Sequence, residues 1–392
     1  MADRIKIIVA EDNPIQRQYL CVLINKLGYV PIAAEDGQEA LRLLQESNAQ
    51  VIISDFEMPK LNGIELTREV RKLNLDHYVH IIMITGSEGD DLWREAMEAG
   101  ADDFMSKSSS PSILRARIRA ATRLVFHAME LADQTRELKE TNDRIKEDLR
   151  AAANAQRQLL PDIREEILGF RVASAFVPSS FVSGDMFGCF ALDDKTLGLY
   201  TVDVSGHGVH ASLLSVAIGH LITPEFFRTK ALTADGTPDP AALVSDLNQR
   251  FSVADNDDYF TMFCAVINSE TGLVTYCQAG SPSPLYVNRA GEAQAVGEGG
   301  FPVGMLSVAT FENDVFTVEN GGALVLCSDA ASEAESTLHS APFGYDRLQG
   351  IVATMFCAGI AQLPQQIITA LTEWRGLTTL EDDLTIVALE WT

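Results

Sequence analysis

The stretch Leu199-Tyr-Thr-Val-Asp-Val-Ser-Gly-His-Gly208 joins a short apolar run to a carboxylate and then to a glycine-rich turn. The run has the composition of a β-strand, and Asp203 stands at its end. Gly206 and Gly208 let a ligand approach the backbone closely. A carboxylate in this setting suits a hard cation, which takes oxygen ligands from side chains and backbone carbonyls. On this stretch alone, an aspartate that simply ends a hairpin is an equally good interpretation.

Three other aspartates in residues 162–392 also lie at the ends of apolar runs or in turns. They are Asp185 in Ser183-Gly-Asp-Met186, Asp329 in Leu326-Cys-Ser-Asp329, and Asp382 in Leu380-Glu-Asp-Asp-Leu-Thr385. Four acids and one carbonyl make a two-metal site, whose ions, about 3.5–4 Å apart, activate a water and stabilise a phosphoryl group during in-line attack. Oxygen-only ligation favours magnesium or manganese, and no Cys or His cluster suits zinc.

Short strands dominate the chain from Phe170 onward. Strands are predicted at 170–176, 186–192, 196–203, 260–268, 272–279, 284–288, 323–328 and 384–391. Helices are predicted near 209–222, 240–252, 343–357 and 363–374. This order predicts an α+β domain, an antiparallel β-sandwich flanked by helices.

Residues 1 to about 120 alternate short apolar strands with helices. The strands are predicted at Ile5–Ala10, Val30–Ala34, Val51–Asp55, Ile81–Thr85 and Asp103–Lys107, and the helices near 37–47, 64–74, 88–99 and from 111 onward, after a first helix that begins at Asn13-Pro14. Five strands alternating with helices predict a doubly wound α/β domain with a parallel sheet.

Sites in such sheets form at the carboxyl ends of the strands. The residues at those ends are Glu11, Asp12, Asp55, Thr85 and Lys107. Clustered carboxylates repel one another unless a cation lies among them, so we expect a divalent ion on Asp12, Asp55 and a nearby carbonyl such as that of Glu57. One carboxylate could then attack a phosphoryl group, while Lys107 and Thr85 hold its oxygens.

These residues, together with Asp55-Phe-Glu-Met-Pro-Lys-Leu-Asn-Gly63, resemble the receiver domain of two-component response regulators. The resemblance implies that Asp55 accepts a phosphoryl group from a histidine kinase, and that Mg²⁺ is bound by Glu11, Asp12, Asp55 and the Glu57 carbonyl. It also implies that Thr85, Phe104 and Lys107 form the switch. One departure is Ser108, where the family usually has proline.

The segment 121–161 is predicted to be a coiled-coil linker helix, because no Gly or Pro occurs between Pro111 and Pro161. Positions d of the heptads are Leu124, Leu131, Leu138, Ile145, Ala152 and Leu159, and positions a are Ala128, Thr135, Asn142, Leu149 and Gln156. A buried Asn at a, with Leu at most d positions, favours a parallel two-stranded coil. We therefore expect a parallel homodimer of marginal stability; the alternative is a single amphipathic helix packed on its own domains.

Residues from about 150 to 392 resemble the metal-dependent protein Ser/Thr phosphatases, in particular the bacterial sporulation and stress-response branch. The preceding helix, Ala155-Gln-Arg-Gln-Leu-Leu-Pro161, is also typical of that branch. The resemblance implies that Asp203 bridges two Mn²⁺ or Mg²⁺ ions. Asp185 and the Val204 carbonyl would complete one metal site, and Asp329 and Asp382 the other. The sequence departs from the usual pattern at Gly188, Ser205 and Ala330, none of which removes a metal ligand.

The composition limits the partners. The 392 residues include 30 Lys and Arg against 55 Asp and Glu, a formal net charge of −25. Such an acidic surface argues against nucleic acid and against an anionic membrane. The six cysteines stand singly, the N-terminus lacks a signal-peptide pattern, and no apolar run approaches the roughly 20 residues of a membrane span, so we expect a cytoplasmic protein.

The sequence thus predicts three domains: a receiver at 1–120, the linker at 121–161 and a phosphatase domain at 162–392. Our hypothesis is a response regulator in which Asp55 phosphorylation controls a Ser/Thr protein phosphatase. By resemblance, its substrate is a phosphorylated anti-sigma-factor antagonist in a partner-switching stress pathway. The alternative is a catalytically weak phosphatase-like scaffold that binds a sigma factor or its regulator under receiver control.

Overall fold

The computed structural model describes residues 5–86, 90–160, 166–206, 208–252, 258–336, 341–356, 359–377 and 379–392. The chain divides into two compact units, Met1–Arg144 and Ile145–Thr392, which are described separately. Two residues singled out in the sequence, Pro161 and His207, lie outside the described residues.

The first unit is built on a parallel sheet. Its strands are β1 (Lys6–Ala10), β2 (Val30–Ala34), β3 (Val51–Asp55), β4 (His80–Thr85) and β5 (Asp103–Ser106), in the order β2-β1-β3-β4-β5. Its helices are α1 (Pro14–Lys26), α2 (Gly37–Ser47), α3 (Gly63–Lys72), α4 (Asp90–Glu98) and the first part of α5 (Pro111–Leu159). The predicted doubly wound α/β fold is confirmed.

Helices cover both faces of this sheet because each presents an apolar stripe to it. Leu23 of α1 and Ile118 of α5 pack on one face, whereas Leu44 of α2 and Leu66 of α3 pack on the other. Helix α1 begins as predicted, since the Asn13 side chain accepts hydrogen bonds from the first backbone N–H groups. These helices leave the carboxyl ends of the strands open.

Helix α5 continues without interruption from Pro111 to Leu159. Leu114, Ile118 and Val125 in its first turns are buried against the sheet. From Leu124 onward, the apolar residues at the heptad positions d are exposed in this single chain: Leu124, Leu131, Leu138, Ile145 and Leu159. None of the helices in the described ranges combines the length and apolar composition that a membrane crossing needs.

The second unit contains two antiparallel sheets. Strands β8 (Asp185–Ala191), β9 (Thr196–Val204), β10 (Phe260–Asn268), β11 (Leu273–Ala279) and β14 (Asp314–Thr317) form one, in the order β14-β11-β10-β9-β8. Strands β6 (Glu166–Ile167), β7 (Phe170–Val177), β12 (Leu285–Val287), β13 (Ala293–Ala295), β15 (Ala323–Cys327) and β16 (Leu384–Trp391) form the other, in the order β13-β12-β15-β16-β7-β6.

Helices flank both sheets, as predicted. They are α6 (Val209–Leu221), α7 (Pro224–Ala231), α8 (Pro240–Phe251), α9 (Ala330–Glu333), α10 (Tyr345–Phe356) and α11 (Leu363–Arg375), with a short 3₁₀ turn at Ile360–Gln362. The sheets share one apolar core, which includes Leu199, Phe263 and Val387. The outer face of each sheet packs on helices, through Phe227 on one side and Ile367 on the other. The result is a four-layer sandwich, which confirms the predicted fold class.

Candidate functional site

In the first unit, three carboxylates meet at the carboxyl ends of β1 and β3. Ligand oxygens of Glu11, Asp12 and Asp55 lie within 4.8 Å of one another, and Glu11 and Asp55 are buried while Asp12 is exposed. Glu57, two residues after Asp55, has an exposed side chain. A small pocket of carboxylate oxygens open to solvent fits a magnesium ion, which takes few protein ligands and keeps several waters.

Lys107 places a positive charge in this cluster. Its Nζ lies 2.5 Å from Asp55 Oδ2 and 3.2 Å from Glu11 Oε1, and it donates to Gln16 Oε1 at 3.0 Å. Burial lowers the pKa of Lys107, but hydrogen bonds to Asp55 and Glu11 outweigh burial and raise it. Burial, followed by the charge of Asp55, raises the pKa of Glu11 in spite of Lys107. The lysine therefore remains charged and partly neutralises the carboxylates.

The two other predicted switch residues lie on the neighbouring strands. Thr85 is the last residue of β4 and is buried, and its carbonyl accepts the Lys107 backbone N–H at 2.6 Å. Phe104 on β5 is half-buried against the cluster that contains Met83 and Ala96. The structure therefore brings Thr85 and Lys107 together at one edge of the sheet, with Phe104 on the strand that leads to Lys107.

In the second unit, four aspartates come from two facing sheets. Asp185 and Asp203 are directly opposite each other on the antiparallel pair β8–β9. Asp329 follows β15, and Asp382 precedes β16, the strand paired with β15. The charges of Asp329 and Asp382 act on Asp203, so the two pairs form one acidic cluster. These four aspartates are the ones that the sequence analysis named as candidate metal ligands.

Burial sets the electrostatics of this cluster. Asp185 is 1% exposed, and burial followed by the charge of Asp203 raises its pKa well above the usual range. Burial, and then the charges of Asp329 and Asp382, raise the pKa of Asp203 to about 7. Burial and the charge of Asp382 also raise the pKa of Asp329. Without a cation, these carboxyl groups therefore resist ionisation.

The donor set fits divalent cations. Asp185 Oδ2 is buried without a hydrogen-bond partner, which is costly unless the oxygen has another ligand. A Cβ at Gly184 would lie 3.1 Å from the Val204 carbonyl oxygen, so glycine avoids a tight contact with that oxygen. Among the described residues, no three of these aspartates have ligand oxygens that all lie within 4.8 Å of one another. This spacing is compatible with a two-metal site, because ligands shared between two ions are spread more widely than those of one ion.

Asp383, next to Asp382, makes contacts that the sequence does not reveal. Its Oδ1 accepts from the N–H and hydroxyl of Ser179 at 2.7 and 2.9 Å, and its Oδ2 accepts from the Gly184 N–H at 2.7 Å. Its own N–H donates to Asp382 Oδ1 at 2.8 Å. Asp383 thus links the segment before Asp185 to Asp382. The resemblance to the phosphatases already places Asp383 where relatives often carry an acid or amide beside the metal ligands, but it does not give the contacts that Asp383 makes.

The departures from the phosphatase pattern have structural explanations. A Cβ at residue 188 would lie 2.2 Å from Cε1 of the buried Tyr200, so glycine is the residue that fits there. Ala330 begins α9 and does not adopt a positive φ, so its methyl group causes no backbone strain. Ser205 donates its N–H to the Tyr259 carbonyl at 2.9 Å and so ties the turn after Asp203 to the start of β10.

Beside Asp329 and Asp382 lies a cavity of about 240 Å³. Its walls include Glu333 of α9 and Arg375 of α11, and Arg375 forms an ion pair with Glu381 at 2.8 Å. The acidic cluster is therefore next to an open space, as a site that receives a substrate must be.

The first unit has the parallel sheet and acidic cluster of a response-regulator receiver, and the second has two packed antiparallel sheets with an acidic cluster of its own. The profile described as "Response regulator receiver domain" matches residues 7–119, and the profile described as "Stage II sporulation protein E (SpoIIE)" matches residues 193–392. Since the second match covers half of the chain, the protein belongs to the SpoIIE family. Both resemblances seen in the sequence are confirmed.

Individual relatives match one part each. The probable transcriptional regulator ycf27 of Guillardia theta is 39% identical over 120 residues, 30% of this chain and 45% of that protein. The phosphate regulon regulator PhoB of Escherichia coli is 29% identical over 31% of this chain and 52% of its own. The chain thus spans about half the length of these curated relatives. The SiaA-PP2C domain of Pseudomonas aeruginosa shares the fold, with a TM-score of 0.55 and 19% identity over 64% of this chain and 99% of that domain.

Proposed function

We propose that this protein is a response regulator in which phosphorylation of Asp55 controls a metal-dependent phosphoserine and phosphothreonine protein phosphatase. The observation that carries the proposal is the convergence of Asp185, Asp203, Asp329 and Asp382 from two sheets, together with a buried Asp185 oxygen that has no hydrogen-bond partner. Burial and mutual repulsion raise the pKa of Asp185, Asp203 and Asp329, so bound cations would stabilise the ionised cluster.

In the phosphatase site, Asp203 would be shared between two Mn²⁺ or Mg²⁺ ions. Asp185 and the Val204 carbonyl would hold one ion, and Asp329 and Asp382 the other. When bound, the ions supply a water nucleophile and neutralise the charge of the phosphoryl group. The protein's own part is to hold these oxygens in place, since Asp383 fixes both the segment before Asp185 and the carboxylate of Asp382.

In the receiver, Asp55 would accept the phosphoryl group from a histidine kinase, with Mg²⁺ bound by Glu11, Asp12, Asp55 and the Glu57 carbonyl. Lys107, which already contacts Asp55, would hold a phosphoryl oxygen. Thr85 would bind another, and Phe104 would respond to that movement. The proposal is supported by the chemistry of these residue types, since a carboxylate can act as a nucleophile toward a phosphoryl group, and lysine and threonine can donate hydrogen bonds to its oxygens.

The linker is proposed to form a parallel homodimer. In the single chain, Leu131 and Leu138 at positions d are 65% and 71% exposed, and a second helix would cover them. We keep the division into a receiver at 1–120, a linker at 121–161 and a phosphatase domain at 162–392. A cytoplasmic location is proposed because the buried cysteines Cys189, Cys264 and Cys277 are free thiols, as is typical of a reducing compartment.

The proposed substrate is the phosphorylated form of an anti-sigma-factor antagonist, as in the stress-response branch that the sequence resembles. Dephosphorylation would lead to release of a sigma factor.

The test measures hydrolysis of p-nitrophenyl phosphate and of a phosphoserine antagonist by the full chain, with Mn²⁺ or EDTA and with or without beryllofluoride. We expect Mn²⁺-dependent activity that is lost in Asp203→Ala and kept in Asp194→Ala, which removes an exposed acid between β8 and β9. Asp55→Asn should keep activity but lose the response to beryllofluoride. Equal rates for wild type and Asp203→Ala in every state would contradict the enzyme, and the absence of Mn²⁺ binding would favour the scaffold.

A further inference from the structure

The last turns of helix α5 carry one deeply buried polar side chain, Gln156. Gln156 is 3% exposed, whereas Gln158 on the same helix is exposed. A buried amide is costly unless both its oxygen and its nitrogen find partners. The partners of Gln156 therefore indicate why glutamine occupies this position.

Gln156 binds the backbone of Ser183 from both sides. Its Nε2 donates to the Ser183 carbonyl at 2.6 Å, and its Oε1 accepts from the Ser183 N–H at 3.0 Å. The same Nε2 also donates to Oγ of Ser215 on α6 at 3.1 Å, and that hydroxyl lies 3.0 Å from the Ser183 carbonyl. Ser183 and Ser215 are both completely buried. One side chain of α5 thus satisfies both backbone groups of Ser183.

Ser183 is two residues before the metal-ligand candidate Asp185. The Ser183 hydroxyl accepts the Asp185 N–H at 3.0 Å, and the Gly184 carbonyl accepts the Val204 N–H at 3.3 Å. On the other side, Asp383 accepts the Gly184 N–H. The segment 183–185 is therefore held between Gln156 and Asp383, and its position fixes where the Asp185 carboxylate lies.

We infer that Gln156 is a positioning residue for Asp185, through which helix α5 helps to hold this candidate ligand in place. The inference rests on the proposed function and extends it by naming the contact between linker and site. Hydrogen bonds of 2.6–3.1 Å do not survive a displacement of about 1 Å or more, and one helical turn is about 5.4 Å. A small axial shift or rotation of α5 would release Ser183.

This role also explains a weakness in the heptad pattern. Gln156 occupies a position a, where an apolar side chain would strengthen a coiled coil. Here its amide faces Ser183 of its own chain. Leucine at this position would leave the Ser183 N–H without this partner in a buried environment.

The test compares Gln156→Ala with Gln158→Ala, a matched change at an exposed position of the same helix. Both are made in full-length protein that carries Asp12→Ala, so that the receiver cluster contributes less to the signal. Mn²⁺ binding is measured by calorimetry, and p-nitrophenyl phosphate hydrolysis is followed as a function of Mn²⁺ concentration. We expect Gln156→Ala to weaken Mn²⁺ binding about 10- to 100-fold, the usual effect of losing a residue that orients a metal ligand.

The kinetics separate positioning from general damage. If Gln156 positions Asp185, the Mn²⁺ concentration for half-maximal rate rises with the binding constant, whereas kcat at saturating Mn²⁺ returns to within about twofold of wild type. Gln156→Glu, which keeps an acceptor for the Ser183 N–H but repels the Ser183 carbonyl, should fall between Gln156→Ala and wild type.

Mn²⁺ affinity of Gln156→Ala equal to that of Gln158→Ala would overturn the inference. Should Gln156→Ala fail to fold, Ser215→Ala removes one partner at smaller cost, and it is expected to weaken Mn²⁺ binding about threefold; unchanged affinity would again overturn the inference. If wild type binds Mn²⁺ but hydrolyses no phosphoester, the proposed function fails, while the binding comparison still decides the role of Gln156.

Discussion

In the receiver, Glu11 and Asp55 share Lys107, whose Nζ lies within 3.2 Å of both carboxylates. In the phosphatase domain, Asp185 and Asp203 face each other across two strands, and the neighbouring charges that act on them are those of further acids. Among the described residues, no lysine or arginine forms an ion pair with the four phosphatase aspartates.

This difference separates a site with a built-in cation from one that, by our proposal, takes its cations from solution. In the receiver, the lysine neutralises part of the charge of Glu11 and Asp55. Because burial and neighbouring acids raise the pKa of Asp185, Asp203 and Asp329, we expect metal to favour their ionised forms, so the stability and activity of the proposed phosphatase site should follow the metal concentration. Four predictions test this comparison, in order of decreasing effect.

The largest effect is expected from Asp203→Ala, which removes the central ligand of the phosphatase site. Hydrolysis should fall about a thousand-fold, because the ions contribute several kcal/mol to transition-state stabilisation. The matching receiver change, Asp55→Asn, should leave the Mn²⁺-dependent basal rate within about twofold. Steady-state hydrolysis of p-nitrophenyl phosphate measures both, and a similar loss in the two variants would erase the distinction between the sites.

The second prediction concerns pH in the absence of metal. Folding raises the pKa of Asp203 from its usual 3.8 to about 7, first through burial and then through Asp329 and Asp382. Between these values the folded chain holds a proton that the unfolded chain has lost, so the Asp203 contribution to stability falls as pH rises.

In EDTA, the free energy of unfolding of wild type relative to Asp203→Asn should therefore drop by on the order of a few kcal/mol between about pH 4 and pH 7. Saturating Mn²⁺ should reverse the sign, because metal binds the ionised carboxylates. Urea unfolding at several pH values measures this, and a relative stability that rises with pH in EDTA would refute the electrostatic account.

The third prediction concerns Lys107→Met, which removes the cation from the receiver cluster and so makes it resemble the acidic cluster of the second unit. Lys107→Met leaves Glu11 and Asp55 without their shared cation, and the receiver should lose about 1–3 kcal/mol of stability, with partial recovery in Mg²⁺. As a control, Lys72→Met breaks an exposed ion pair with Glu69 and should cost less than about 1 kcal/mol. Denaturant unfolding gives both values, and equal losses would mean that burial of the pair is unimportant.

The smallest effect is expected from Asp383→Asn, which keeps the shape of the side chain but replaces one acceptor oxygen by an amide. Either Ser179 or Gly184 then loses its acceptor, so Mn²⁺ affinity should fall about tenfold, with little change in Mg²⁺ binding to the receiver. Calorimetry distinguishes the two metals. Unchanged Mn²⁺ affinity would show that Asp383 does not position the ligands.

The sequence predicted the strands and helices well wherever the pattern of apolar residues was strongly periodic. The five parallel strands and the two antiparallel sheets lie close to the predicted ranges, because alternating and continuous apolar runs report burial directly. Strand β14 and helix α9 were missed, since elements of four residues are too short to show a period. Helix α7 was also missed, although Thr223 and Pro224 form a recognisable helix start.

The sequence predicted which residue types form the site, but not the contacts that hold these residues in place. A carboxylate at a strand end is a local signal, so Asp203 and Asp329 could be named in advance. The contact of Gly188 with Tyr200 crosses two strands, and that of Asp383 with Gly184 joins residues 199 positions apart. Such contacts depend on register and topology, which a single sequence does not encode locally.

Strand β16 lies between β15 and β7, in the interior of its sheet. The ribosome must therefore translate through residue 391 before this sheet can close. Until then β7 and β15 each have an unpaired edge, which can aggregate with other chains. The receiver sheet is complete at Ser106 and can fold during translation. A nonsense codon only a few positions before residue 384 would thus yield a folded receiver tethered to a domain that chaperones must hold or proteases remove.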